Sequence, residues 1–245
     1  MTEKEPPAWG QDPLTSFFQS AFDNRKATFA SNRFFRLLID IDMIFEAALR
    51  DFVNPENQIC VLLAQRGHSA FRACCEYAAS GQLAECFPLL RSVLEYYVYA
   101  LHISKYPKYG EVWVRRHDSK AQFDESRSKF EQHKLKLTLS NTNPELERIY
   151  KFLYQRTIDF GAHPNVRAVT GNMKMSTTVD AQYYETIYLH KDGLAMDHAL
   201  KTSCEIALLC IEILPYLFQS RCKEINLDIR LQGLKSMLFE ISVTK

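Results

Sequence analysis

Apolar residues recur at intervals of three and four along most of this chain, the period of a helix that buries one face. Phe34, Leu37, Leu38, Ile41, Ile44, Phe45 and Leu49 set that pattern from about Thr28 to Phe52, and Asn54-Pro55 stops it. A second helix is expected from about Gln58 to Ala79 and a third from about Leu83 to Ser104. The short Ser80-Gly81 link makes these two antiparallel neighbours, and Pro88 reshapes the first turns of the third. Between Tyr106 and Leu139 charge replaces the apolar period, which reads as solvated helix and linker. Asn143 as N-cap with Pro144 at the first position opens the next helix, running to about Phe160 and ended by Gly161 and Pro164.

Residues 166 to 193 lose the helical period. Ala181 to Leu189 is β-prone and pairs with Asn172 to Val179 in a small hairpin, closed by Lys191-Asp192-Gly193. A long helix follows from about Leu194 to Arg221, bent at Pro215, and a last one from about Asp228 to Ile241. The expectation is an all-α fold, a multi-helix bundle of antiparallel helices with a small β-hairpin insertion near 172–190. A flexible N-terminal arm, 1–13, with Trp9 as an anchor, precedes a single helical domain, 14–245.

Composition narrows the function classes. At 245 residues, 47% hydrophobic and 24% charged, the chain can bury a large core. A net charge of +1 gives no global field for nucleic acid or a membrane surface. The seven cysteines, Cys60, Cys74, Cys75, Cys86, Cys204, Cys210 and Cys222, are an odd number without zinc-ligand spacing, and read as buried free thiols with no disulfides. The acidic, Pro-containing start is not an export signal, and Ile206 to Phe218 is interrupted by Glu212 and Pro215 and falls short of the ~20 apolar residues of a membrane span. A cytoplasmic protein is expected, without membrane partner, metal or cofactor.

Three polar clusters stand out. Arg91 and Glu95 are spaced i,i+4 beside an apolar face made by Phe87, Leu90, Leu94, Val98 and Leu101, and His102 continues the same border. An exposed pair of this spacing contributes only ~0.2–0.5 kcal/mol. The stripe therefore meets something, either a neighbouring helix through a buried ion pair or a ligand or catalytic pocket that the guanidinium and carboxylate line. Arg156 and Asp159 precede His163 by seven and four residues, within about 60° of one another on a continuing helix. An imidazole, an acid fixing its tautomer and a guanidinium suit general acid/base catalysis on a phosphate. Alternatively His163 and Asn165 cap a helix whose stop signals are Gly161 and Pro164. Trp113, Arg115, Arg116 and His117 form a basic patch beside an aromatic, read either as a solvated face or as a weak nucleic-acid contact.

The order of Ser80-Gly81, Leu90-Arg91-Ser92-Val93-Leu94-Glu95, Trp113 with Arg115-Arg116, and Ile158-Asp159-Phe160-Gly161-Ala162-His163-Pro164-Asn165 resembles a group of uncharacterised bacterial helical proteins, over roughly residues 60 to 165. That resemblance implies a fold and no reaction. More distantly, Arg156 and His163, with six residues between them, resemble the signature of the HEPN ribonuclease superfamily. Thr157 stands where that superfamily has Asn, Asp or His, and Pro164 directly follows the histidine. The resemblance implies metal-independent RNA cleavage in a site shared across a dimer, in toxin or defence proteins, with His163 moving protons and Arg156 stabilising phosphate.

Three readings follow. The first is a non-catalytic dimerising or partner- or ligand-binding module, with a homodimer expected. The second is a HEPN-like metal-independent ribonuclease with Arg156, Asp159 and His163 as catalytic residues and RNA as partner. The third is a sensor of a small anionic ligand. Arg91, Glu95, His102, Trp113, Arg116 and Asn165 are the candidate binding residues.

Overall fold

Short polar side chains decide where the helices of this protein begin. In the computed structural model, which describes residues 6–52 and 57–243, Asp12 accepts hydrogen bonds from the amides of Leu14 and Thr15, both at 2.9 Å, and opens α1 (Pro13–Ser31). Asn32 then does two things at once. Its extended backbone ends α1, and its side chain accepts from the Phe34 amide at 3.0 Å to start α2 (Arg33–Leu49). The single helix expected from Thr28 to Phe52 is thus two, because a residue that can cap supplies the hydrogen bond a break would otherwise leave unmade. Asn57 caps α3 (Gln58–Ser80) in the same way. The expected stop at Asn54-Pro55 lies outside the described residues.

Gly81 adopts a left-handed conformation, φ 89°, and turns the chain directly into α4 (Leu83–Lys105), which returns along α3. Pro88 sits within the second turn of α4. This helix is the axis of the fold: Leu90, Val93, Leu94, Tyr97, Val98 and Leu101 are completely buried. Burying each Leu contributes about 1.5–3 kcal/mol relative to exposure. Against it pack α3, α7 (Gln132–Thr142), α8 (Pro144–Thr157) and α10 (Leu194–Leu217). Asn143 caps α8 as the sequence predicts, accepting from the Glu145 amide at 2.9 Å with Pro144 at the first position.

The charged segment holds more structure than a linker. It forms α5 (Lys108–Val114), a 3₁₀ turn at 115–117, α6 (Lys120–Lys129) and α7, and it sends Phe130, Leu135 and Leu139 into the core. After α8 comes one π-helical turn, Ile158–Ala162, then the short α9 (Val166–Thr170). The hairpin appears where expected, β1 (Met173–Thr177) antiparallel to β2 (Gln182–Thr186), with Met173 opposite Thr186 and Thr177 opposite Gln182. It is the only sheet among the described residues, and the fold is all-α with a small hairpin insertion.

The long helix α10 continues through Pro215 but ends at Leu217, earlier than Arg221; Phe218 turns out of helical geometry, and its ring lies 4.9 Å from Phe52. Two further helices, α11 (Gln219–Glu224) and α12 (Leu227–Val243), follow among the described residues. All seven cysteines are free thiols, and six are buried. No helix among the described residues is long and apolar enough to cross a membrane.

Residues 6–12, within the N-terminal stretch expected to be a loose arm, fold back as turns. Trp9 donates from Nε1 to Gln19 at 3.2 Å and stacks on Phe18.

Candidate functional site

A cavity of about 290 Å³ lies where the first turns of α4 meet the π-helical turn, the base of the hairpin and the start of α10. Leu83, Ala84 and Phe87 supply one wall, and Phe160 the second. Leu194, Ala195 and His198 form the third, with Arg167, Asn172 and His190 around the rim.

Two glycines let these walls approach. A Cβ on Gly161 would stand 2.3 Å from the Ala84 carbonyl oxygen, so only glycine allows the π-helical turn to lie on α4. A Cβ on Gly81 would stand 2.1 Å from the His190 carbonyl oxygen, and the His190 amide donates to the Gly81 carbonyl at 2.8 Å. The α3–α4 turn thereby grips the strand leaving the hairpin. Gly161, read from the sequence as a helix stop, is also a contact point between helices.

The aromatic groups form a continuous wall. Phe87 and Phe160 stack with ring centres 5.5 Å apart, and the His198 ring lies 4.5 Å from Phe160. Burial, with Arg156 and Lys201 nearby, holds the His198 imidazole below its ordinary pKa. Burial does the same to His190, against a weaker pull from Glu85. Asn172 fixes the second imidazole. Its amide nitrogen donates to the Ala168 carbonyl at 2.8 Å, which turns its oxygen towards His190 Nε2 at 2.9 Å. His190 is therefore the neutral tautomer protonated at Nε2, with Nδ1 left as an acceptor. The His198 ring makes no hydrogen bond among the described residues, so the pocket contains a neutral imidazole with donor and acceptor both open.

The sequence-predicted residues are distributed differently. Arg156 points to α10, where its guanidinium donates to Glu205 and, at 3.2 Å, to the Thr202 hydroxyl, and it covers the Phe152 ring. Asp159 accepts from Gln155 Nε2 at 2.8 Å and faces Arg167 at 3.9 Å. His163 is exposed, in extended backbone beyond the turn, and its ring makes no hydrogen bond among the described residues. The non-helical Gly161 breaks the register that would have put Arg156, Asp159 and His163 on one face. Asn165 is a structural cap: it accepts from the Ala168 amide at 3.1 Å and donates to the carbonyls of Ile158 and His163.

On α4, Arg91 donates to Glu95 at 2.9 Å, and the same carboxylate accepts from the Tyr154 hydroxyl at 3.1 Å. Arg91 also lies over the Tyr154 ring. Burial and the Glu95 carboxylate push the Tyr154 phenol up to about 12. His102 leaves this stripe and is buried among Tyr106, Tyr109 and Phe130. Its Nε2 donates to the Lys129 carbonyl at 3.1 Å, which leaves Nδ1 to accept from the Thr138 hydroxyl at 2.7 Å. Among the described residues no hydrogen bond or ion pair joins Arg91 or Glu95 to Asp159 or His163.

In the basic patch, Arg115 is paired with Glu111 and Asp118. Arg116 lies over the Phe123 ring with a buried Nε that has no hydrogen-bond partner among the described residues, and Trp113 packs against the core. No group of three or more His, Cys, Asp or Glu among the described residues is placed to hold a metal ion.

His190, His198, Asn172 and Arg167 escape sequence reasoning because nothing local marks them. The two histidines are eight residues apart across a helix start, and they share a pocket only because Gly81 captures the chain at His190.

The fold and site together define a helical bundle with a small aromatic-walled pocket held under a hairpin. Comparison with protein-family models, with curated proteins and with solved structures finds no match for this chain.

Proposed function

We propose that this protein is a non-catalytic ligand-binding module whose binding site is the pocket between α4, the π-helical turn and α10. The observation that carries this reading is the commitment of Arg156. Its guanidinium, mostly buried, is held by Glu205 and Thr202 on α10, and among the described residues it makes no hydrogen bond to the exposed His163. A phosphate-stabilising arginine needs a donor aimed at the reacting oxygen. The basic patch supports the same reading, since Arg115 is neutralised by two carboxylates on its own segment. An apolar cavity with a few convergent polar groups is what small-molecule sites require.

The test separates Arg156 as a scaffold from Arg156 as a catalyst. Purified protein incubated with single-stranded and structured RNAs in EDTA is expected to leave them intact, and Arg156→Ala to lower stability by roughly 1.5–3 kcal/mol, the range for a hydrogen bond to a charged group. Chemical denaturation measures the second quantity. RNA cleavage that a folded Arg156→Ala or His163→Ala variant loses would refute this reading in favour of a HEPN-like ribonuclease.

A further inference from the structure

The pocket's polar groups restrict what can occupy it, and this step deepens the ligand-binding reading above. At about 290 Å³ the cavity lies at the lower end of the range for small-molecule sites, so its ligand is compact. Phe87 and Phe160 stack on each other and the tilted His198 ring adjoins both, so aromatic side chains from all three walls meet in a surface that favours a flat partner. Among the described residues no carboxylate or lysine lines the cavity, and burial lowers the pKa of both imidazoles, which favours their neutral form.

Charge sits at the mouth. The Arg167 side chain is 70% exposed, makes no hydrogen bond among the described residues, and has Asp159 as its one ion-pair partner there at a loose 3.9 Å. Its planar fork of donors is therefore open, and such a fork matches a carboxylate in two parallel hydrogen bonds. Lys201 adds positive charge near His198, whereas the Arg156 charge is already balanced by Glu205. Glu85, the acidic group close enough to act on His190, does not line the cavity.

We infer that the pocket binds an aromatic monocarboxylate, with its ring against Phe87, Phe160 and His198 and its carboxylate on Arg167. The open lone pair or N–H of His198 is available to a ring hydroxyl or ring nitrogen. Binding replaces the loose Asp159 contact of Arg167 with two direct hydrogen bonds.

Benzoate and its uncharged counterpart benzyl alcohol are the probes, titrated by calorimetry and followed by saturation-transfer NMR on the full chain. Benzoate is expected to bind at least ten-fold more tightly than benzyl alcohol. Arg167→Ala, a change at an exposed position, is expected to remove that preference and leave benzyl alcohol unaffected. Ala195→Phe, which fills the cavity from the exposed first turn of α10, is expected to abolish binding of both. Equal affinities for the two probes, or benzoate binding untouched by both variants, overturn the assignment, as does absence of any binding at millimolar benzoate. RNA cleavage is scored separately, so the failure of this ligand class and the failure of the non-catalytic reading are distinct results.

Discussion

At the residue scale the helical wheel of α4 carries both a success and an error. Arg91 and His102 are eleven residues apart, almost the same direction around the helix but roughly 16 Å along it. Direction was legible in the sequence; what covers each end was not. Near Arg91 the neighbour is Tyr154 of α8, so the stripe keeps contact with water. Near His102 the α6–α7 connection closes over it, so the imidazole becomes a buried link donating to the Lys129 carbonyl and accepting from Thr138. Burial, reinforced by Lys134, holds His102 below its ordinary pKa. A histidine depressed in the folded state leaves the unfolded chain to take up protons first as pH falls. Its contribution is complete above the ordinary value of about 6.5 and is lost as pH drops through the lower, folded value. His190 and His198 shift in the same direction. The melting temperature is therefore expected to fall between about pH 7 and pH 5.5, in the range where ordinary histidines titrate. His102→Gln should flatten that slope. A melting temperature that rises over this interval would contradict the assignment of neutral imidazoles.

At the scale of elements, caps and turns were readable because their signals are local. Asn143-Pro144 starts α8, Ser80-Gly81 joins α3 to α4, and the β-prone run near Tyr183-Tyr184 forms its hairpin. The Asn32 break escapes the pattern because the apolar residues that define the period, Phe34 to Leu49, all follow it, and a lone capping residue at the edge of a period looks like a surface position. The pocket was illegible for a different reason. Its walls come from three segments widely separated in the chain, and their convergence depends on backbone approaches that periodicity does not encode. Gly161 is the sharpest of these, since its hydrogen faces the Ala84 carbonyl. Gly161→Ala should push the π-helical turn off α4 and cost about 1–3 kcal/mol, the range for overpacking a closely fitted site. Phe160 would move with it, so benzoate binding should weaken in the same variant. Denaturant titration alongside the calorimetry checks both. An alanine variant with unchanged stability and unchanged pocket would mean the turn is not fixed by this contact.

For the whole molecule, the bearing question is whether the charged middle segment divides the chain. By composition it looked like solvated helix and linker, yet Phe130, Leu135 and Leu139 join the same buried cluster as α2, α3, α4, α8, α10, α11 and α12. Phe130, Leu135 and Leu139, spaced irregularly among many charges, do not register as a period, but they suffice to seal one side of α4. Thr138 and the Lys129 carbonyl add the polar link to His102 that a detached linker would lack. A chain held by one contiguous core should unfold as one unit, because no subset of its helices can leave without exposing the rest. Urea unfolding is expected to give a single transition with the same midpoint whether followed by far-UV circular dichroism or by tryptophan fluorescence. The second probe is informative because Trp113 lies in the charged segment and packs on the core, whereas Trp9 reports on the N-terminal turns against α1. Trp9→Phe isolates the Trp113 signal. If that signal changes at clearly lower urea than the helical signal, residues 106–142 form a separately unfolding unit and α4 retains its core without them.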